Sequence, residues 1–308
     1  MSPKLKTFLE RGFSTIVLLS LLGGTVAWDE PLGYAVLICV LCNLTSWEWF
    51  NMLKGTNANR VLSLVAGLIY PWMLAGVALS DDADAIVANP GGITSIALGA
   101  LVLYTILAFC GQLFRMDYRG KTGAEMMDGM GLTLLSFVYP VWMFSFVMTG
   151  LDEHRIWAML WLILFTKMSD IWAYVSGVLL GGKFFTRKFS PSVSPKKTWE
   201  GIIGSIIITL TVGAVLLPVM GLFTWEDITS PVFLACYIPF GLLFFFISVW
   251  GDLAGSLIKR GLAVKDSGSL LPGIGGIFDL IDSPAFTVSV AVCVMSCIST
   301  LLMAAWGI

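Results

Sequence analysis

The sequence predicts an all-α, polytopic integral membrane protein, and three observations carry that prediction. Hydrophobic residues make up 57% of the 308-residue chain and charged residues only 12%, against about 45–50% and about 25% in soluble domains. The mean hydropathy is +0.88. The apolar residues fall in blocks of membrane-spanning length, about 17–25 residues, rather than in short amphipathic stripes. Hydrocarbon offers no partner for a backbone N–H or C=O, so each block is expected to be a helix, which satisfies those groups internally.

Nine blocks meet this description, over residues 12–28, 32–53, 61–79, 93–114, 126–149, 156–180, 201–222, 232–256 and 285–307. The first follows Lys4, Lys6 and Arg11 as a secretory signal would, but lacks a small-residue cleavage pattern, and reads as a retained spanning helix. Orientation follows from the enrichment of Lys and Arg in short cytoplasmic loops. With the N-terminus cytoplasmic, every Lys and Arg except Arg155 and Lys167 falls on the cytoplasmic side. The opposite loops carry Asp29, Glu30, Asp81, Asp82, Asp84, Asp152, Glu153, Glu226 and Asp227. An odd number of spans then puts the C-terminus outside. The reading divides the chain into an N-terminal helical region, 1–150, of about five spans and a C-terminal region, 151–308, that carries the long cytoplasmic loops 181–200 and 257–284.

Several function classes are excluded at this level. A net charge of −2 provides no basic excess for nucleic-acid binding. All six cysteines sit in apolar runs, where they pack as small hydrophobes, and the Cys39–Cys42 pair has no neighbouring second pair or histidine to complete a zinc site. No internal repeat supports an inverted-repeat transporter.

Chemistry is expected in two long polar cytoplasmic segments, 181–200 and 257–284, and on the helix before the first of them. Lys167 and Asp170 are three residues apart and share a face of the 156–180 helix. Buried charge in a bilayer is costly, so they pair or face a polar cavity, as a structural ion pair or as part of a site. Glu48 lies near the cytoplasmic end of its helix, placed to reach water or to serve a site. In the run Ser194-Pro-Lys196-Lys197-Thr198, two ammonium groups and a hydroxyl precede a helix N-terminus, an arrangement that suits phosphate. The same lysines also satisfy the positive-inside rule or touch lipid headgroups. Farther on, Asp252 and Ser256 lie one turn apart, followed by Lys259, Arg260, Lys265-Asp266-Ser267-Gly268, a glycine-rich turn reaching Gly275-Gly276, then Asp279 and Asp282. Carboxylates supply the oxygen ligands that Mg²⁺ takes, with substrate phosphates completing its shell. Glycines let backbone approach a phosphate closely.

The stretch from Gly251 through Ser283, together with Ser194–Gly201, Asp170–Tyr174 and Gly182-Lys183, resembles the phosphatidate cytidylyltransferases, also called CDP-diacylglycerol synthases. The signature elements are a Gly-Asp-x-x-x-Ser helix end, then Lys-Arg, Lys-Asp-Ser-Gly, a Pro-Gly-x-Gly-Gly turn and Asp-x-x-Asp-Ser. The similarity begins near residue 165, and the earlier helices match only as generic apolar spans. The chain departs from the family at Gly255, Ile274 and Leu280, where Glu, His and Arg are usual, while every matching aspartate and lysine is present. Its only histidine, His154, is expected on the opposite side.

The resemblance implies transfer of a cytidylyl group from CTP to phosphatidate, giving CDP-diacylglycerol and pyrophosphate, at the cytoplasmic face of a membrane, expected to be the bacterial inner membrane. It implies Mg²⁺ held by Asp252 and Asp279, with Asp282 and Asp170 in support, and a monovalent cation as a further candidate. Asp252, Ser256, Asp279, Lys196, Lys197 and Lys265 are then the expected catalytic residues. Ser194, Thr198, Lys183, Lys259, Arg260, Asp266, Ser267, Gly275 and Gly276 are the expected substrate contacts. CTP, a lipid phosphate, membrane lipid and a second copy of the chain are the candidate partners. Two alternatives stand beside this reading: a CTP-dependent enzyme for another lipid phosphate, and a membrane transporter using the Lys167–Asp170 pair.

Overall fold

A computed structural model describes residues 20, 23–25, 31–80, 92–115, 120–151, 153–185, 187–271 and 275–306. Among these, eight helices are long and apolar enough to cross a membrane. They correspond in order to the second through ninth expected blocks; most of the first expected block, 12–28, lies outside the described residues.

The chain forms two compact units. The first comprises the described residues of Met1–Glu153, Asp266–Ile281 and Val292–Ile308; the second comprises His154–Lys265 and Asp282–Ala291.

In the first unit, α1 (Pro31–Met52), α2 (Arg60–Ala78), α3 (Gly92–Leu113) and α4 (Gly123–Phe137) pack on small residues. Tyr34, Ile38, Cys42, Thr45, Trp49 and Met52 form a buried stripe on α1. A Cβ at Gly67 of α2 would run into the side chain of Ser46 on α1, so the two backbones approach through glycine. Hydroxyls join the other helices. Thr133 Oγ1 accepts from Asn59 N (2.7 Å) and Gln112 Nε2 (3.0 Å) and donates to Gly129 O (2.7 Å). Tyr104 donates to Thr133 O (2.7 Å). Polar side chains between spanning helices satisfy one another because lipid cannot. The rod begun by α4 continues through a π turn at Val138–Trp142, Met143–Ser145 and a 3-10 turn at Phe146–Gly150. Pro140 lies in the π turn, where the widened geometry tolerates its missing N–H.

The second unit contains α5 (Glu153–Leu180), an antiparallel hairpin of β1 (Lys188–Ser190) and β2 (Ser194–Thr198), α6 (Trp199–Val219), a short α7 (Trp225–Thr229) and α8 (Pro231–Gly261). Its core gathers Phe165, Ile202, Phe245 and Val249. The α5–α6 crossing is close: a Cβ at Gly201 would lie 2.7 Å from Ala173 O and 3.2 Å from Gly177 Cα. Trp161 Nε1 donates to Gly213 O (2.9 Å), Tyr237 donates to Leu210 O (2.7 Å), and Ser169 meets Ser248 at 2.8 Å.

The last helix, α9 (Phe278–Trp306), starts seven residues before the expected 285. Hydropathy placed that boundary after the aspartates, but acidic residues are favourable in a helix's first turns, where they face the positive end of its dipole. Asp279 and Asp282 are therefore helical, and they fall on opposite sides of the division between the units.

Candidate active site

The second unit encloses a cavity of about 590 Å³. Asp170 and Asp252 supply its carboxylates, from α5 and α8. The hairpin and the start of α6 bring Arg187, Lys188, Ser194, Lys196, Lys197 and Thr198. Tyr174, Val178 and Phe185 form an apolar wall, and Gly177, Gly181 and Gly182 leave room beside it.

Its electrostatics are those of compensated charge. Lys197 Nζ lies 2.6 Å from Asp252 Oδ2. Lys167 stands between two carboxylates, 3.4 Å from Asp170 Oδ2 and 3.6 Å from Asp282 Oδ1. Lys259 Nζ is 3.9 Å from the other oxygen of Asp282. Ser283 ties the group together: its N–H donates to Asp282 Oδ1 (2.7 Å) and its hydroxyl to Asp170 Oδ2 (3.2 Å). Gly251 permits this junction, since a Cβ there would be 2.9 Å from Ser283 Cα. Three aspartates thus face three lysines, as burial of ionised groups demands.

The entrance loop is fixed from the helix that follows it. Thr198 caps α6 by accepting from Gly201 N (3.1 Å). Glu200, in the helix's first turn and 4% exposed, turns Oε1 back to accept from Gly182 N (3.0 Å), Phe184 N (3.1 Å) and Phe185 N (2.9 Å). Gly182 has φ +79°, a conformation that favours glycine.

The first unit holds the other part of the motif. Asp279 Oδ2 accepts from Ser267 N (3.0 Å), Ser267 Oγ (2.9 Å) and Gly276 N (2.9 Å). Glu48 accepts from Ile277 N (2.8 Å) and Phe278 N (2.9 Å), and from the Ser267 hydroxyl (2.9 Å). Leu271 and Gly275 exchange two backbone hydrogen bonds across the glycine turn. Gly275 has φ +125°. Residues 272–274, including Ile274, lie outside the described residues.

Of the residues selected from sequence, Asp170, Asp252, Lys196, Lys197, Ser194 and Thr198 meet at one cavity, and Asp282 joins them through Lys167. Asp279, expected with Asp252 as a metal ligand, lies in the first unit, where its Oδ2 accepts three hydrogen bonds. Lys259, expected at the headgroup level with Arg260, is 8% exposed and faces Asp282. Its place on α8 carries it to the inner side of the helix, whereas Arg260 is exposed. Ser256 is half-buried and is not among the residues lining the cavity; Lys183, Lys265 and Asp266 are exposed. Sequence reasoning assigned no role to Glu200 or Tyr174, although both lie in quoted motifs, and counted Arg187 and Lys188 only as topology signals. An acidic residue just after a helix cap was the available signal for Glu200.

An all-α polytopic fold with a lysine-lined cavity over two carboxylates defines a membrane protein whose cavity has the charge and donors that suit phosphate. A family model described as the cytidylyltransferase family matches residues 9–298. The chain belongs to that family. Among its relatives are the Arabidopsis thaliana proteins named phosphatidate cytidylyltransferase 5, chloroplastic, 45% identical over 40% of this chain, and phosphatidate cytidylyltransferase 4, chloroplastic, 42% identical over 60%. Those matches span 28% and 43% of the plant proteins' lengths. The phosphatidate cytidylyltransferase of Haemophilus influenzae is 27% identical over 89% of this chain and 93% of its own.

Proposed function

We propose that this protein transfers the cytidylyl group of CTP to phosphatidate, releasing pyrophosphate. The observation that carries the reading is the cavity in which Asp170 and Asp252 meet Lys196, Lys197 and the capped start of α6, in a chain of the cytidylyltransferase family. A phosphate oxygen of the lipid forms a bond to the α-phosphorus of CTP while the bond to the bridging oxygen of the β-phosphate breaks. Pyrophosphate leaves with that electron pair. The nucleophile is anionic at neutral pH, so no side chain need remove a proton. The work is positioning and charge neutralisation.

In this reading Lys196 and Lys197 offset the triphosphate charge, with Arg187 and Lys188 at the same cavity. Thr198 and the first N–H groups of α6 add donors. Tyr174, Val178 and Phe185 offer an apolar surface to the lipid. Glu200 holds the loop that carries Gly181 and Gly182. The donor set suits Mg²⁺: two partly buried carboxylates line the cavity, and this ion is commonly held by one or two carboxylates plus substrate phosphates. Asp252 and Asp170 would hold it, and when bound it supplies charge neutralisation of the phosphates. The distribution of basic residues supports a cytoplasmic-facing cavity, and the bacterial relatives support a bacterial inner membrane.

The test is CTP-dependent conversion of phosphatidate by purified protein, read by mass spectrometry of the CDP-lipid, for wild type, Asp252→Asn and Asp170→Asn, with and without a divalent chelator. Loss of about a hundredfold or more in both folded variants is expected. Near-wild-type rates would remove these residues from the site, and turnover unaffected by the chelator would remove the metal. A panel of lipid phosphates decides between phosphatidate and an analogue.

A further inference from the structure

We infer that Glu48, on the first described helix and some 220 residues away in sequence, is a positioning residue for the two described ends of the signature loop, 266–271 and 275–279, and thereby for the substrate contacts expected there. The inference rests on the function proposed above together with the resemblance, which implies substrate contacts at Asp266, Ser267, Gly275 and Gly276. Glu48 is 4% exposed. It takes two backbone N–H groups and one hydroxyl, all from the loop and the start of α9.

The geometry makes Glu48 one half of a clamp. The N–H groups of Ile277 and Phe278 open α9 and would otherwise lack intrahelical partners. Glu48 caps them from a different helix, as an N-cap side chain does from within its own. At the other end of the loop, the Ser267 hydroxyl lies 2.9 Å from both Glu48 Oε2 and Asp279 Oδ2. Its single proton serves one carboxylate at a time. Asp279 meanwhile takes the N–H groups of Ser267 and Gly276. Two carboxylates thus draw residues 267 and 276–278 to one point.

The glycines record the same constraint. A Cβ at Gly276 would collide with the Ser267 hydroxyl and with Glu48 Oε2, and a Cβ at Gly268 would sit 2.6 Å from Glu48 Oε1. Two glycines of the signature stretch are therefore required by the approach of Glu48. Trp49 and Tyr139 set their rings edge-on to Phe278, at 5.2 and 5.4 Å between centroids, and hold the residue that Glu48 caps.

Glu48→Gln preserves shape but turns an NH2 group toward donors. In full-length protein it should raise the CTP KM about tenfold or more while the phosphatidate KM stays within about twofold, since misplacement by about an ångström is costly to a bound substrate. Amide exchange should accelerate at Ile277 and Phe278 and also at Ser267 and Gly276, which Glu48 reaches only through the shared hydroxyl and Asp279. Gly268→Ala, which displaces the carboxylate without removing it, should move CTP KM in the same direction and keeps the test available if Glu48→Gln does not fold. Unchanged CTP KM in folded variants, or faster exchange confined to Ile277 and Phe278, would overturn the inference. If wild-type protein makes no CDP-lipid, the proposed function fails, while the exchange pattern still decides whether the clamp exists.

Discussion

Lys167 provides the sharpest test of how the buried charges are held. It lies 3.4 Å from Asp170 and 3.6 Å from Asp282, and Asp282 is 2% exposed. At an effective dielectric of about 20, two unit charges at that separation attract by about 4–5 kcal/mol before desolvation is subtracted. Replacing Lys167 by Met leaves Asp282 with Lys259 at 3.9 Å and the Ser283 N–H, so the loss should fall near the lower end of the roughly 3–5 kcal/mol seen when one partner of a buried pair is removed. Asp282→Asn alone leaves Lys167 with Asp170. The double variant removes both charges, so its cost should be about 1–3 kcal/mol less than the sum of the single costs. The assay is reversible unfolding in mixed micelles with increasing dodecyl sulfate, followed by tryptophan fluorescence. Costs that add to within about 0.5 kcal/mol would refute the reasoning, because they would mean the two groups do not share one electrostatic environment.

Three further outcomes are expected. Glu200→Gln halves the strength of three charge-assisted hydrogen bonds, and amide exchange at Gly182, Phe184 and Phe185 should accelerate about tenfold or more; unchanged exchange would show that Glu200 does not hold the loop. Gly201→Ala puts a Cβ 2.7 Å from Ala173 O and should cost about 1–3 kcal/mol in the same unfolding assay, whereas Gly131→Ala, with open space at its Cβ, should be neutral or slightly stabilising. Asp227, in a capping box outside the spanning helices, is held below the ordinary carboxylate range by the Thr224 hydroxyl and then by its N–H. Its folded-state pKa being lowered, its contribution is complete above the unfolded pKa of about 4 and is lost as pH falls through the folded value. Carboxyl NMR should show Asp227 titrating below the other exposed aspartates, and a titration at the ordinary position would contradict the cap.

Much of the candidate site was legible because membrane proteins are poor in charge. In a chain with 12% charged residues, Asp170, Lys196, Lys197 and Asp252 stood out against apolar helices, and the cavity gathers all four. Glu48 and Glu200 were harder to read because their partners are backbone N–H groups, which carry no residue identity. Nothing in the letters at 182, 184 and 185 marks them as donors to Glu200, and nothing at 277 and 278 points to a helix more than two hundred residues earlier. Asp279 and Asp282 illustrate the same limit: three residues apart on one helix, they look like one pair in sequence, yet one holds the glycine loop and the other neutralises Lys167 and Lys259.

By itself, the sequence determined that this is a chain of spanning helices, where most of them begin and end, and that its polar chemistry is confined to a few short stretches. Those follow from local quantities: the hydropathy of a window, and the need of backbone in lipid to bond within its own segment. The tertiary structure alone decided which lysine neutralises which aspartate, that α9 begins before its aspartates, and that two glutamates serve as caps for loops they do not adjoin. Those depend on distances of a few ångströms between segments far apart in the chain, where a charge in low dielectric takes whichever partner the packing brings to it.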